Sequence, residues 1–134
     1  MEISELFRRS YLLGRFVECS KKKDYKSLRK IIRRSGSYEI QDEHLNTITT
    51  SRKRFLDWYL TKLNDCPLVN YRFSKCCSCE MEGVVVLFNY DEFPRIPKYS
   101  FENKKCGYLL LIERGKISGL KFCYGFKEGN YNYI

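Results

Sequence analysis

Three cysteines fall within four positions of SKCCSCEME, residues 74–82. Cys76 and Cys79 form a C-x-x-C pair, whose two thiolates can reach one tetrahedral zinc ion across a tight turn. A complete site needs two further ligands, and the remaining candidates are scattered: Cys66, Cys77, Cys106, Cys123 and the single histidine, His44. Cys106 and Cys123 read as lying roughly opposite each other on a hairpin. The zinc expectation is therefore a four-thiolate site of Cys76, Cys79, Cys106 and Cys123, and zinc is the only cofactor suggested. The competing reading takes these residues as small buried hydrophobes. Thioredoxin-type redox chemistry fits poorly, because its C-x-x-C opens a helix, whereas Met81 to Phe88 reads as a strand.

Other catalytic chemistry has little to work with. Histidine-based catalysis would have to run through His44, in DEHLN. No glycine-rich phosphate loop occurs, and Glu80, Glu82, Asp91 and Glu92 lack a metal-ligand spacing. The expectation is that the protein is not an enzyme.

Charge carries a stronger signal. The 134 residues have a formal net charge of +9. Residues 15–34 hold nine basic side chains against Glu18 and Asp24. Like charges this crowded repel one another, and a polyanion relieves the repulsion. The expected phosphate track is Lys21, Lys22, Lys23, Lys26, Arg29, Lys30, Arg33 and Arg34, extended by Arg52, Lys53 and Arg54. Aromatic residues of the second half, Tyr108, Phe122, Tyr124 and Phe126 among them, interleave with lysines and offer bases a stacking surface. RNA is the expected ligand in preference to DNA. The plainer alternative is a solvated basic face that keeps the chain soluble.

These residues need elements to position them. Apolar side chains recur at helical spacing from Ile3 to Val17, predicting a helix over residues 2–19. Asp24 is a fitting N-cap for a second helix with Tyr25, Leu28, Ile31 and Ile32 on its apolar face, Arg33 and Arg34 in its last turn and Gly36 as its stop. A third helix is expected from Asp42 to Cys66. TITTS, residues 47–51, is poor in helix formers and suggests a kink or restart with Ser51 as a second cap. After Pro67 the period changes. VNYRF alternates, GVVVLFNY is β-branched and aromatic, and GYLLLIE and ISGLKFCYGF flank the tight turn RGK. The tail reads as an added edge strand or as loose. The expected architecture is α+β: about three N-terminal helices packed on a C-terminal antiparallel sheet that contains a β-hairpin. One domain is expected over 1–134, with a basic helical part (1–66) and a β part (67–134).

Composition sets the remaining bounds. No run of 18 apolar residues exists to span a membrane, and Glu2, Glu5, Arg8 and Arg9 interrupt any secretory signal. Seven cysteines without such a signal read as reduced thiols in cytoplasm or nucleus, not in a secreted protein. The chain contains no alanine, the mark of an AT-rich gene such as many small viral genomes carry. Together these lead to the expectation of a small intracellular viral accessory protein that binds RNA and suppresses host silencing or defence. The alternative is a viral adaptor that binds a host protein without nucleic acid.

Overall fold

The structure, a computed structural model, describes residues 3–42, 46–65, 67–68, 71–76, 84–89, 104–127 and 131–133. Helix α1 (Ile3–Lys21) is followed by a short α2 (Tyr25–Ile31), strands β1 (Ile32–Gln41) and β2 (Thr47–Thr50), and helix α3 (Arg52–Asp65). The second half supplies β3 (Tyr71–Cys76), β4 (Val84–Asn89), β5 (Lys104–Glu113), β6 (Lys116–Lys127) and β7 (Tyr131–Tyr133). All seven strands form one sheet in the order β2-β1-β6-β5-β4-β3-β7.

The α+β architecture matches the sequence expectation, with two departures. β1 and β2 come from the part expected to be helical, and β1 pairs parallel to β6, so the sheet is mixed. Helix two ends at Ile31, and Arg33 and Arg34 belong to β1. The alternation of Tyr38 and Ile40 with Glu39 and Gln41 suits a strand with one face on the core, and Tyr38 is buried.

Local chemistry fixes the helix boundaries. Asp24 caps α2: its Oδ1 accepts from the Ser27 backbone N–H at 3.2 Å and its Oδ2 from the Ser27 hydroxyl at 2.7 Å. These bonds, led by the one from the Ser27 side chain, hold the Asp24 carboxyl below the ordinary aspartate range. Helix α3 restarts at Ser51, whose Oγ accepts from the Arg54 backbone N–H at 3.2 Å. The TITT run before it is the strand β2. The RGK turn closes the β5–β6 hairpin with Arg114 at φ 50° and Gly115 at φ 75°, the left-handed pair a tight primed turn requires.

The core lies where the helices meet the sheet. Leu12, Leu13, Phe16 and Val17 of α1 and Phe55, Leu56, Tyr59 and Leu63 of α3 are buried with Tyr108, Leu110, Leu120 and Phe122 of the hairpin. Trp58 bridges the layers: its ring centroid lies 5.1 Å from Phe122, 5.6 Å from Phe55 and 6.3 Å from Tyr108. Tyr108 and Phe122, expected to offer a stacking surface, are thus core residues. The Ser20 hydroxyl donates to the Phe16 carbonyl at 2.6 Å and accepts from the Tyr59 hydroxyl at 2.8 Å, satisfying two buried polar groups together.

Candidate anion-binding cleft

Strand β1 does not run evenly beside β6. Ile32 pairs with Ile117 and Ser37 with Gly119, so Arg33, Arg34, Ser35 and Gly36 stand against Ser118 alone. Such a bulge re-aims the side chains it carries, here two arginines. Two groups hold it. The Tyr38 hydroxyl donates to the Arg33 carbonyl. Gly36 lets β1 pass close to β6: a Cβ there would overlap the Ser118 carbonyl oxygen and stand 2.6 Å from the Tyr38 hydroxyl. Burial raises the Tyr38 phenol above its ordinary value, against a smaller opposing effect of Arg52 and Arg33.

The bulge faces a cleft of about 690 Å³. Its cations are Arg29 and Lys30 from α2, Arg33 and Arg34 from the bulge, Arg52 from the first turn of α3, and Lys116 from the start of β6. Four elements therefore converge on one concave surface. Arg52 is fixed there by its own backbone partners: Nη1 donates to the Ile32 carbonyl at 3.1 Å and the Arg29 carbonyl at 3.4 Å. It thereby satisfies carbonyls that the end of α2 leaves open. Arg33 leans on Glu113, with Nη2 at 3.4 Å from the backbone carbonyl and Nη1 at 4.0 Å from Oε2. The Arg29 guanidinium lies 5.8 Å from the Tyr25 ring centroid. Among the described residues, no carboxylate pairs with Lys30, Arg34 or Lys116, and all three are exposed.

The expected phosphate track is thus divided. Arg29, Lys30, Arg33, Arg34 and Arg52 come together around the cleft, while Lys26, Lys53 and Arg54 do not line it. Lys22 pairs with Glu18 at 3.0 Å. Lys23 donates to the Asn64 side chain. Lys21 and Lys23 line a different hollow of about 460 Å³, beside Leu63, Asn64 and Leu68. Sequence reasoning missed Lys116. Only the parallel pairing of Ile32 with Ile117 brings it to the bulge, and no local signal announces that pairing.

The four-thiolate zinc site does not survive the strand registers. Lys75 of β3 is level with Val85, Leu110 and Leu120, whereas Cys123 of β6 is level with Gly107, Phe88 and Arg72. Cys76 therefore lies three strands from Cys123 and four residues along the strands. At about 4.8 Å per strand and 3.3 Å per residue the gap is near 20 Å. Zinc–sulfur bonds of about 2.3 Å cannot close it. Cys106 sits at a register shift beside Gly107, and Cys79 and His44 lie outside the described residues. Among the described residues no cluster of three or more histidine, cysteine or acidic side chains is placed to hold a metal ion. No helix among them is long and apolar enough to cross a membrane.

No protein-family model matches the chain, and no curated protein does. Solved structures do match. An NTF2-like protein of unknown function from Shewanella baltica superposes with a TM-score of 0.54 at 11% identity, covering 92% of this chain and 95% of its own. The structure called Rd1NTF2_04 with long sheet gives 0.53 at 14% identity, over 85% of this chain and 98% of its own. An NTF2-like protein of unknown function from Silicibacter pomeroyi gives 0.50 at 14% identity, over 92% and 98%. At these identities the likeness establishes a shared fold: the chain has the NTF2-like α+β fold.

This overturns the expectation of a viral RNA-binding suppressor, and with it the viral adaptor. The fold neighbours are NTF2-like proteins, and none of them is described as viral or as binding nucleic acid. The physical reason lies in how the chain folds between residues 21 and 34. The expected track has Arg29, Lys30, Arg33 and Arg34 on one helix, with Lys21 to Lys23 just before it. The chain instead turns from α2 into β1 at Ile32 and uses Lys22, Lys23 and Arg33 in contacts of its own.

Proposed function

We propose that the protein is a non-catalytic binding protein for a small, multiply charged anion, and that the cleft between α2, the β1 bulge, the start of α3 and the β5–β6 hairpin is its site. One observation carries this reading: six cations from four separate elements converge on one concavity, and among the described residues only Arg33 has a carboxylate partner. Crowding like charges costs stability, and an anion in their midst turns that cost into affinity.

The lining supports holding more than reacting. Arginine is effectively always charged and presents a fork of donors suited to oxyanions. Its role in such a cleft is to grip and orient an anion, not to exchange protons with it.

Titration calorimetry with pyrophosphate tests the reading. The wild-type protein is expected to bind, with affinity falling as salt rises. Arg34→Glu combined with Lys116→Glu should weaken binding by about a hundredfold or more, because two attractive charges become repulsive. Both side chains are exposed, so the fold should persist. Undiminished pyrophosphate binding by the folded double variant would remove the cleft from consideration.

A further inference from the structure

The cleft's walls also bear on what kind of anion it takes. Resting on the reading above, we propose that the ligand is a compact polyphosphate: several phosphates carried on a small hydrophilic scaffold or joined in a short chain, with no nucleobase or other flat apolar group contributing to recognition.

Three features lead there. The first is size. A water molecule claims about 30 Å³ of liquid, so the four oxygens of an orthophosphate would fill roughly a sixth of the 690 Å³ cleft. The second is the distribution of charge. Arg33 and Arg34 come from the bulge, Arg29 and Lys30 from the end of α2, Arg52 from α3 and Lys116 from the hairpin. Four guanidinium forks and two ammonium groups offer more donors than the oxygens of one phosphate can take up, whereas phosphates spaced along one molecule can use them. The third is the lack of a stacking surface among the described lining residues. Ile32 is the one apolar residue among them, and it is 1% exposed. The nearby Tyr25 ring has the Arg29 guanidinium 5.8 Å from its centroid. A base entering here would lose water and gain no aromatic partner, unlike the sites in which stacking adds affinity.

This chemistry has two natural sources. One is a soluble polyphosphate, linear or carried on a cyclitol. The other is the headgroup of a polyphosphoinositide in a membrane surface. Both present closely spaced phosphates without a base.

The test compares probes on the same protein. Orthophosphate, pyrophosphate, tripolyphosphate, ATP and myo-inositol hexakisphosphate are titrated by calorimetry into the wild type and into the Arg34→Glu/Lys116→Glu variant. Sedimentation with phosphatidylcholine vesicles, with and without phosphatidylinositol bisphosphate, separates the sources. Affinity is expected to climb with phosphate number, by about a hundredfold from orthophosphate to the hexakisphosphate, as further charge-assisted hydrogen bonds form. ATP should bind no tighter than tripolyphosphate, since adenosine adds nothing. The double variant should flatten the series. Co-sedimentation with the phosphoinositide vesicles alone assigns the lipid headgroup, and its absence alongside strong hexakisphosphate binding assigns the soluble ligand. Both results uphold the polyphosphate class. ATP binding well above tripolyphosphate, or equal affinity for every probe, overturns the polyphosphate assignment while leaving the cleft as the site. Failure of every probe to bind overturns both.

Discussion

The aromatic wedge under the hairpin and the basic cleft at the β1 bulge are built on opposite principles. In the wedge, Phe55, Trp58, Tyr59, Tyr108 and Phe122 satisfy one another, with ring centroids 5.1–6.3 Å apart. In the cleft the side chains repel, and neighbouring elements must hold them: the carbonyls of α2 hold Arg52, Glu113 holds Arg33, and the Tyr38 hydroxyl holds the bulge. The wedge is where the stability of the fold resides. The cleft spends some of that stability on holding charges together. Side-chain loss in the wedge should therefore act mainly through unfolding, and charge reversal in the cleft mainly through anion affinity.

The largest effect belongs to the wedge. Phe122 is fully buried and touches Trp58 and Tyr108. Phe122→Ala should cost about 3–5 kcal/mol, by lost transfer energy plus the cavity left behind. Urea unfolding reads this as a lowered midpoint with an unchanged slope. A cost below 1 kcal/mol would mean that the wedge is not the anchor of the fold.

Gly36→Ala comes next and links the regions. The added Cβ would press on the Ser118 carbonyl and the Tyr38 hydroxyl, one of them backbone that cannot swing away. A destabilisation of about 1–3 kcal/mol is expected from overpacking. The bulge should shift with it, so pyrophosphate affinity should fall along with the unfolding midpoint. A variant that loses stability but binds normally would show that the bulge does not shape the cleft.

The two regions also differed in how far the sequence revealed them. The wedge and its helices were readable because their physics is local and periodic. Asp24 and Ser51 announce helix starts, the RGK turn announces the hairpin, and Phe55, Tyr59 and Leu63 recur at helical spacing. β1 was not readable. Ile31 and Ile32 extend the apolar stripe of α2 by one position, and Arg33 and Arg34 suit a helix end equally well, so only pairing with a strand some 80 residues away decides for a strand. For the cleft, Arg29, Lys30, Arg33, Arg34 and Arg52 stood out as dense charge. Their grouping and their separation from Lys22, Lys26, Lys53 and Arg54 depend on tertiary geometry. Lys116 has only Glu113 and Arg114 as nearby charges in sequence and gave no signal. The zinc expectation failed for the same reason: residues that seem to face each other on one hairpin say nothing about a third strand two places away in the sheet.

Relieving the crowding sharpens the contrast from the other side. Arg34→Glu should leave the unliganded protein slightly more stable, by a few tenths of a kcal/mol, because an exposed positive charge facing others is replaced by an attractive one. Wild-type protein should regain the advantage when pyrophosphate is added, since a ligand at a hundred times its dissociation constant adds about 2.7 kcal/mol. Thermal unfolding with and without pyrophosphate measures both. Stabilities that do not cross over would argue against the strain assigned to the cleft.

The smallest effects are those of pH, and they too divide between the regions. Asp24 caps α2, at whose other end the cleft begins, and its carboxyl is held below the ordinary aspartate value by the Ser27 hydroxyl and backbone N–H. A depressed folded-state pKa contributes stability that is present above the unfolded value of 3.8 and is lost as pH falls through the folded value. Tyr38 behaves in the reverse sense. Its phenol is raised by burial, so its contribution is whole below the unfolded value of 10.0 and declines as pH climbs beyond it. In Tyr38→Phe the alkaline decline should shrink and the acid decline should stay. In Asp24→Asn the acid decline should shrink, because the carboxyl that titrates is gone while a capping oxygen remains. Unfolding midpoints followed from pH 3 to 11 distinguish the two; identical profiles in both variants would mean that neither group governs the edge of stability assigned to it.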